Sequence, residues 1–285
     1  MQIQNNMAAV NSSRNQRITK NKLNKTLEKL SSGYRINRAG DDAAGLAISE
    51  LMRNQIRGLD QALANVNDGV SMTNTGEGAL QEIHSMLQRM KTLAVQAANG
   101  TYSSVARENI EAERLELLSE IDRVSQTTDF DDIPLFGEYP QETVPPGFVP
   151  PEKQDDITLQ IGYSDKETLD VERYFMGSKE LLLDQISFST VKDANKAVDT
   201  IEEAIEAVAD VRASFGASLN HLEHTNNNLG VTKENVTTAE SRIRDTDMAD
   251  QITAYTADNI LLQASNSVMA HANSLPDLVL QLLQI

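Results

Sequence analysis

Apolar residues recur at alternating spacings of three and four over a long stretch in the second half of the chain. From Val198 to Ile243 the pattern continues for about six heptads. Such spacing places the side chains on one stripe of a helix and is typical of coiled coils. The stripe consists of Ile201, Ile205, Val208, Phe215, Leu219, Leu222, Leu229, Val236 and Ile243. We predict a long helix that packs lengthwise against a partner helix.

Two positions of this stripe are polar, Asn226 and Lys233. A polar residue in a buried helical seam lowers stability but can fix the register or the direction of packing. At the start of the helix, Thr190 and Asp193 resemble a capping box, in which side chains satisfy the first free N–H groups. The helix is therefore predicted to begin near residue 190.

A second stripe runs from Ile56 to Met90 and changes phase after Gly76 and Gly78. It predicts one long helix with a weakened middle, which Asn99 and Gly100 end. Ser103 or Ser104 can cap a following helix. That helix would bury Ile110, Leu117, Ile121 and Val124. We expect the two helices to form an antiparallel hairpin.

The character of the chain changes between residues 129 and 188. Six of the seven prolines lie at 134–151, and eight of the twelve Phe and Tyr residues lie at 130–188. Helix cannot continue through paired prolines, which lack the N–H donor. Apolar and polar residues then alternate over 157–163 and 169–175, with residues 164–166 between them. This alternation predicts a β-hairpin that lies against the helices, because an isolated two-stranded hairpin is marginally stable.

Composition supports a mainly α fold. Forty per cent of the residues are apolar, but aromatic residues make up only 4% and tryptophan is absent. The core is therefore largely aliphatic, as in helical bundles. We predict an elongated antiparallel helical coiled-coil rod with a small β-hairpin region.

Cysteine is absent, which excludes disulfides and thiolate chemistry and is compatible with an exported protein. No run of about 18 apolar residues is available to span a membrane. The N-terminal residues also lack the apolar segment of a cleaved signal peptide. If the protein leaves the cell, we expect a route that does not cleave it.

The net charge of −17 is unevenly distributed. Residues 1–40 contain eight basic residues and only one acidic residue, Glu28, so the remainder carries the entire negative excess. A basic arm can bind nucleic acid or anionic lipid. We favour a basic face on an amphipathic helix that meets an acidic neighbour, because Leu23, Leu27 and Leu30 form an apolar stripe and no aromatic residue precedes Tyr34. No nucleic-acid or membrane partner is predicted.

The residues offer little for catalysis or cofactor binding. His221 and His224 could share a helix face, but they lack the spacing of a catalytic zinc motif, and we expect them to flank the seam residue Leu222. Paired acids such as Asp41 and Asp42 are explained by a helix start, where negative charge is favourable. No phosphate-binding, dinucleotide-binding or serine-nucleophile motif occurs. We predict no enzyme activity, no cofactor and no metal site.

The last segment of the chain is unusually apolar. No Asp, Glu, Lys or Arg occurs at 259–276, and the end carries Leu278, Leu280, Leu282 and Leu283. An apolar tail of this kind is unfavourable on a free monomer. We predict that another subunit covers it.

Three sequence blocks together resemble bacterial flagellins. Residues 30–48 read LSSGYRINRAGDDAAGLAI, similar to the N-terminal flagellin signature. Residues 87–100 read LQRMKTLAVQAANG and residues 241–249 read SRIRDTDMA, similar to two further blocks of that family. The resemblance covers about 1–130 and 190–285. The three blocks occur in the order found in flagellins.

This resemblance implies a structural subunit that polymerises into the bacterial flagellar filament for motility and is secreted to the cell exterior. It implies export through the flagellar type III apparatus with an export chaperone, and growth beneath a filament cap. It also implies that the N- and C-termini pair, so that 1–42 and 245–285 form an inner coiled-coil domain. Residues 43–130 and 188–244 would form the rod. Residues 131–187 would be a short variable segment in place of an outer domain.

The resemblance also implies candidate recognition residues. Arg89, Leu93 and Glu113 match positions that flagellins present to the flagellin-sensing Toll-like receptor, and the same block packs subunits together in the filament. Two departures from the family pattern affect these expectations. Met90, Lys91 and Thr92 replace a Val-Arg-Glu type of sequence, and residues 272–278 replace a glutamine-rich stretch.

Two alternative functions remain open from sequence. A hook–filament junction protein shares the terminal helices, although such proteins commonly have weaker signature blocks and a larger middle. A secreted flagellin-like module acting as an innate immune receptor ligand is the other alternative.

Overall fold

The computed structural model describes residues 6–136 and 153–283, including the side chains in these ranges except at 153 and beyond 274. It contains five helices: α1 (Met7–Ser32), α2 (Ala43–Ala98), α3 (Ser104–Thr127), α4 (Val191–Arg244) and α5 (Met248–Leu283). Two antiparallel strand pairs are present, β1 (Asp129–Phe130) with β2 (Ile133–Pro134) and β3 (Lys153–Gln160) with β4 (Thr168–Tyr174). The predicted mainly α fold is confirmed.

The chain divides into two compact units. The terminal unit comprises Met1–Ile56 with Glu234–Ile285, and the central unit comprises Arg57–Lys233. Helices α2 and α4 contribute residues to both units. The division into the three parts expected from the resemblance stays a prediction.

In the central unit, α2 and α4 run antiparallel. Four polar contacts between the helices show this, because a higher residue number on α2 goes with a lower one on α4. These are Asp60 with Lys233 at 2.5 Å, Asn67 with Asn226 at 3.3 Å, Glu77 with Arg212 at 2.6 Å and Lys91 with Glu202 at 2.7 Å. Both polar positions noted in the α4 stripe therefore contact polar partners on α2. The apolar stripe is fully buried at Ile201, Val208, Phe215 and Leu222.

Helix α2 passes through its glycines without interruption. At Gly69 an added Cβ would lie 2.6 Å from Leu159 Cδ1 of β3, and at Gly58 it would lie 2.8 Å from Tyr163 Cβ. The predicted weak point at Gly76 is instead a packing site for the Phe215 ring. These glycines let the β3–β4 hairpin and α4 approach the α2 backbone closely.

The close approach at Gly76 gives a prediction with an internal control. A Cβ there would lie 3.1 Å from Cδ1 and 3.3 Å from Cζ of Phe215, and closer still to Cε1. Overpacking costs about 1–3 kcal/mol, more than the roughly 0.5–1 kcal/mol that alanine gains over glycine in a helix. We expect Gly76→Ala to lower the free energy of unfolding by about 1–2 kcal/mol.

Gly78 provides the matched control, since no atom lies within 4 Å of a Cβ added there. Gly78→Ala should raise the free energy of unfolding by about 0.5–1 kcal/mol. Urea unfolding monitored by circular dichroism measures both changes. A shift of the same sign in both variants would contradict the packing role of Gly76.

Helix α3 returns along α2, as predicted. Its N-cap is Ser103, whose hydroxyl accepts the Ala106 N–H at 3.2 Å. Gln96 donates to the Tyr102 hydroxyl, and Arg89 pairs with Glu113, so the two helices are antiparallel. Ile110 and Ile121 are buried, and Leu117 and Val124 pack against the core. At α4, the Asp193 N–H donates to Thr190 Oγ1 at 3.2 Å, which places the predicted cap at the helix start.

The predicted β-hairpin is present, but its turn is longer than expected. Ile157 pairs with Val171 and Leu159 with Leu169, and residues 161–167 connect the strands. The Gln160 side-chain amide donates to three backbone carbonyls of this connection, at residues 162, 164 and 167. This amide holds the turn together. The proline-rich segment at 137–152 lies outside the described residues.

Candidate assembly interface

Helices α1 and α5 pair in antiparallel fashion within the terminal unit. The Asn6 amide donates to the Ala272 carbonyl at 2.7 Å, and the Gln16 amide donates to Asn266 Oδ1. Near the other end, the Thr26 hydroxyl contacts Asp258 at 3.4 Å. The expected pairing of the two terminal segments is therefore present over most of the length of α1.

The seam between α1 and α5 is made largely of small and polar side chains. Its buried and half-buried positions repeat at spacings of three and four on both helices. On α1 they are Ala9, Ser12, Gln16, Thr19, Leu23, Thr26 and Leu30. On α5 they are Gln251, Tyr255, Asp258, Leu262, Ser265, Met269 and Ala272. Because burial of apolar area supplies most of the stabilisation in helix packing, this seam stabilises the pair only weakly.

Several large apolar residues of both helices face away from the seam. On α1, Met7 is 61% exposed and Val10 is 59% exposed, and Leu27 of the predicted apolar stripe is 51% exposed. On the described part of α5, the exposed large apolar residues are Met248, Ile252, Ile260, Leu261 and Val268. Exposed apolar residues in such numbers mark an interaction surface. Sequence periodicity missed this outward set because it follows no regular stripe.

The tail residues Leu278, Leu280, Leu282 and Leu283 lie within α5, which extends to Leu283. Their side chains fall outside the described part of the chain. Their predicted role in polymerisation stays a prediction.

Two of the sequence blocks meet at a short junction in the terminal unit. After α1, Gly33 adopts a left-handed conformation with φ of 74°, which suits glycine, and caps the helix. Tyr34 and Asp245 form an isolated antiparallel bridge. The Arg35 N–H donates to the Arg244 carbonyl at 2.7 Å, and the Thr246 N–H donates to the Gly33 carbonyl at 3.0 Å. The break between α4 and α5 is thus held by the segment that ends α1.

Charged side chains reinforce this junction. The Arg244 guanidinium lies 4.8 Å from the centre of the Tyr34 ring and 2.6 Å from Glu50. The hydrogen bond from Arg244 lowers the pKa of the Glu50 carboxyl. Arg35 donates to the Ile243 carbonyl at the end of α4. A cation at this end of a helix also interacts favourably with the helix dipole. Tyr34, Arg35, Ile243 and Arg244 belong to two of the sequence blocks, but Glu50 does not, and the blocks did not predict that these residues form one contact cluster.

The remainder of the first block builds the turn from α1 to α2. Asp42 is the N-cap of α2 and accepts the Gly45 N–H at 2.9 Å. Asp41 accepts the N–H groups of Arg38 and Asn37, and these hydrogen bonds, with that from Arg38 first, lower the pKa of its carboxyl. Ile36 packs against Gly45, where a Cβ would lie 2.9 Å from its Cδ1. These contacts explain both acids without catalysis.

The candidate recognition residues lie in the central unit. Arg89 Nε donates to Glu113 at 2.8 Å, and both side chains are about half exposed. Leu93 is only 1% exposed and lies in the core of the central unit. Arg89 and Glu113 therefore form one surface pair across α2 and α3, and Leu93 lies beneath that surface. The recognition role of all three residues stays a prediction.

Other candidate groups are accounted for by packing. His221 and His224 are exposed on α4 on either side of the buried Leu222. Within 6–136 and 153–283, no three His, Asp or Glu side chains are placed to hold a metal ion. None of the helices in the described part of the chain is both long enough and apolar enough to cross a membrane.

The architecture is that of a helical structural protein whose two end segments pair and leave apolar residues uncovered. Comparison with known proteins gives the family. A model of the bacterial flagellin N-terminal helical region matches residues 3–140, and one of the C-terminal helical region matches residues 198–283. The chain belongs to the bacterial flagellin family.

Two relatives extend the likeness over the whole length. The chain is 45% identical over 286 residues to a flagellin of Halalkalibacterium halodurans and 42% identical over 309 residues to a flagellin of Bacillus subtilis, covering 100% of both chains in each pair. A putative flagellar hook-associated protein from Vibrio parahaemolyticus matches 72% of this chain and 100% of its own, with a TM-score of 0.59 and 14% identity. At that identity the likeness concerns the fold alone.

Family membership confirms the main functional prediction. The chain is a structural subunit of the flagellar filament that assembles with other flagellin subunits, and it is not an enzyme. Full-length identity to flagellins favours this function over that of a hook–filament junction protein.

Proposed function

We propose that the chain polymerises through the outward apolar faces of α1 and α5. The observation that carries this proposal is the exposure of large apolar side chains on these helices, among them Met7, Val10, Ile260 and Val268, which the internal seam leaves uncovered. Burying such residues against other subunits removes apolar surface from water at each added copy. The apolar Leu positions at 278–283 would extend the same contact.

The helix ends support the proposed division of the chain. The turn at residues 33–42 separates α1 from α2, and the break at 245–247 separates α4 from α5. These are the boundaries expected between the inner domain, 1–42 with 245–285, and the rod, 43–130 with 188–244. In this proposal the inner domain supplies assembly contacts and the rod supplies a rigid core.

Export and assembly partners are part of the same proposal. A subunit that is secreted uncleaved to the cell exterior passes through the type III export apparatus and is added beneath the filament cap. The exposed apolar faces of the terminal unit would require an export chaperone before assembly, since uncovered apolar surface promotes aggregation. Absence of cysteine suits this route because no disulfide has to form outside the cell.

The test is seeded polymerisation of the purified chain. Sonicated filament fragments are added to monomer, and negative-stain microscopy and sedimentation measure the product. Long filaments are expected. Failure to form filaments, by a monomer whose central unit is folded by circular dichroism, would contradict the proposal.

A second role, recognition by a flagellin-sensing Toll-like receptor, is favoured by the exposed Arg89–Glu113 pair. We expect Arg89→Ala to reduce receptor activation in a reporter-cell assay by about tenfold, since truncating an interface arginine commonly costs more than 1 kcal/mol. Arg123→Ala is the matched control, because Arg123 is also half exposed and pairs with a glutamate, Glu120, on α3. Equal responses of the two variants would exclude the Arg89 surface.

A further inference from the structure

Helix α1 carries a dense set of cations that form no ion pair with the described residues of their own chain. Its basic residues are Arg14, Arg17, Lys20, Lys22, Lys25 and Lys29. The only acid of α1, Glu28, pairs with Arg38 at 2.8 Å. None of the six cations forms an ion pair within the described residues; Arg14 instead donates to Asn11. Five of them are exposed, and Lys29 is half-buried.

The pairing register explains why α5 cannot neutralise these cations. Gln16 lies beside Asn266, and Thr26 lies beside Asp258. The section of α1 from Arg14 to Lys25 therefore runs along α5 residues beyond 258. That part of α5 contains no Asp or Glu as far as residue 274. Apart from a weak electrostatic interaction of Lys25 and Lys29 with Asp41, these charges are open to solvent ions or to another molecule.

Unpaired acids lie at a different level of the same unit. Glu240, Asp245 and Asp250 surround the break between α4 and α5, and none forms an ion pair within the described residues. The break is held next to the end of α1 by the Tyr34–Asp245 bridge. At 1.5 Å per helical residue, Asp250 lies roughly 12 Å along the pair from the level of Lys25 and roughly 24 Å from that of Arg14 and Arg17.

We propose that the outward basic face of α1, formed by Arg14, Arg17 and Lys25, docks on the acids Glu240, Asp245 and Asp250 of a second copy of this chain. This contact rests on the proposed function and specifies how two neighbouring subunits meet. The second copy is shifted along the helix pair by roughly 12–24 Å, the distance that separates Asp250 from the levels of Lys25 and of Arg14 with Arg17. Because the two surfaces differ, the contact is head to tail and can repeat without closing, as a filament requires.

The composition of the face favours another copy over a polyanion. Met7, Val10 and Ile18 are exposed on α1 among the cations, and no aromatic residue accompanies them to stack on bases. A second copy presents apolar residues and unpaired acids together, so it matches both features of the face.

The test is charge reversal on either side of the contact. Arg17→Glu with Lys25→Glu should raise the monomer concentration left at equilibrium with filaments by about tenfold, since it replaces attraction with repulsion at each contact. Adding Glu240→Lys and Asp250→Lys to the same chain should lower this monomer concentration again, to within about threefold of the wild-type value. Lys179→Glu with Lys192→Glu changes net charge equally on exposed residues of the central unit and serves as control.

The outcomes separate this contact from polymerisation itself. If the wild-type chain forms no filaments, the proposed function fails. If wild type and the Arg17/Lys25 variant polymerise equally, only the charged contact is overturned. If the Arg17/Lys25 variant polymerises poorly and the Glu240 and Asp250 substitutions do not restore polymerisation, the charged contact is also overturned. Another group would then neutralise α1.

Two further measurements, salt dependence and cross-linking, test the contact if the charge-reversal variants do not fold. Raising ionic strength should weaken wild-type assembly more than that of Arg17→Gln with Lys25→Gln, since screening acts on exposed charges. Equal salt dependence would overturn the proposal.

Cross-linking reports the approach of two copies directly, because the chain lacks cysteine. The single variants Asn21→Cys and Ala254→Cys are mixed, assembled into filaments and oxidised. A heterodimer cross-link is expected; its absence in intact filaments contradicts the stated offset.

Discussion

We expect removal of residues 246–285 to abolish filament formation and to leave the central unit folded. The truncation deletes α5 and with it the partner of α1, together with the exposed residues Ile260 and Val268. The central unit keeps its core, because the buried cluster from Met72 to Phe215 lies wholly within residues 57–233. Sedimentation after seeding measures assembly, and circular dichroism measures the remaining helix.

A full-length variant shows whether assembly depends on the exposed apolar face of α5 or only on the presence of that helix. Ile260→Ser with Val268→Ser keeps the seam positions of α5 intact but removes two large apolar side chains from its exposed face. This variant should also fail to sediment, with unchanged helicity. Filaments from the truncated chain would show that the terminal helices are dispensable.

The second large effect is expected at an ion pair inside the central unit. Arg114 is 6% exposed and contacts Glu111 at 2.7 Å, and Glu111 is 20% exposed. Glu111 also accepts the Phe188 N–H at 2.7 Å, and Arg114 lies over the Phe188 ring. Glu111→Gln leaves the buried guanidinium without its counter-charge. We expect the free energy of unfolding to fall by about 3 kcal/mol.

The same helix supplies a matched control for this variant. Glu120 and Arg123 have the same order and spacing on α3 and pair at 2.6 Å, but both are about half exposed. Water already solvates these charges, so Glu120→Gln should leave the unfolding midpoint in urea nearly unchanged. Similar shifts in the two variants would contradict a special role for the buried pair.

The sequence predicted the elements whose residues repeat regularly. The stripes of α2 and α4 were readable because a long seam requires an apolar residue about every 3.5 positions. Alternation identified β3 and β4 in the same way. The length of the hairpin turn was not readable, because it depends on irregular hydrogen bonds, among them those of the Gln160 side chain and that from the Ile161 N–H to the Glu167 carbonyl.

Irregular segments were missed for the same physical reason. Residues 176–188 cover α3 without any repeat; Ser178 donates to Asp122 through both its N–H and its hydroxyl. The turn between β1 and β2 uses Asp131 and Asp132 with φ of 53° and 62°. Acids tolerate this left-handed conformation, but glycine or asparagine signals it more clearly. Two adjacent aspartates do not by themselves predict such a turn.

The candidate interface was only partly readable. The basic strip and the apolar tail were visible in composition, and the family blocks identified the terminal segments. Which face of α1 meets α5 depends on a partner more than 200 residues away in sequence, as the contact of Thr26 with Asp258 shows. Leu23 and Leu30 lie in the seam and Leu27 lies outside it, although all three formed one predicted stripe.

The polar pairs between α2 and α4 have a consequence for alignment. A coiled coil that slides by one heptad brings apolar residues opposite apolar residues again, so hydrophobic burial alone barely distinguishes the two alignments. Asn67 with Asn226 and Asp60 with Lys233 are each one heptad apart on their helices. A slide would separate Lys233 from Asp60 and Asn226 from Asn67 at once. The polar pairs therefore give α2 and α4 the same alignment in every copy. A lattice of identical subunits requires this uniformity.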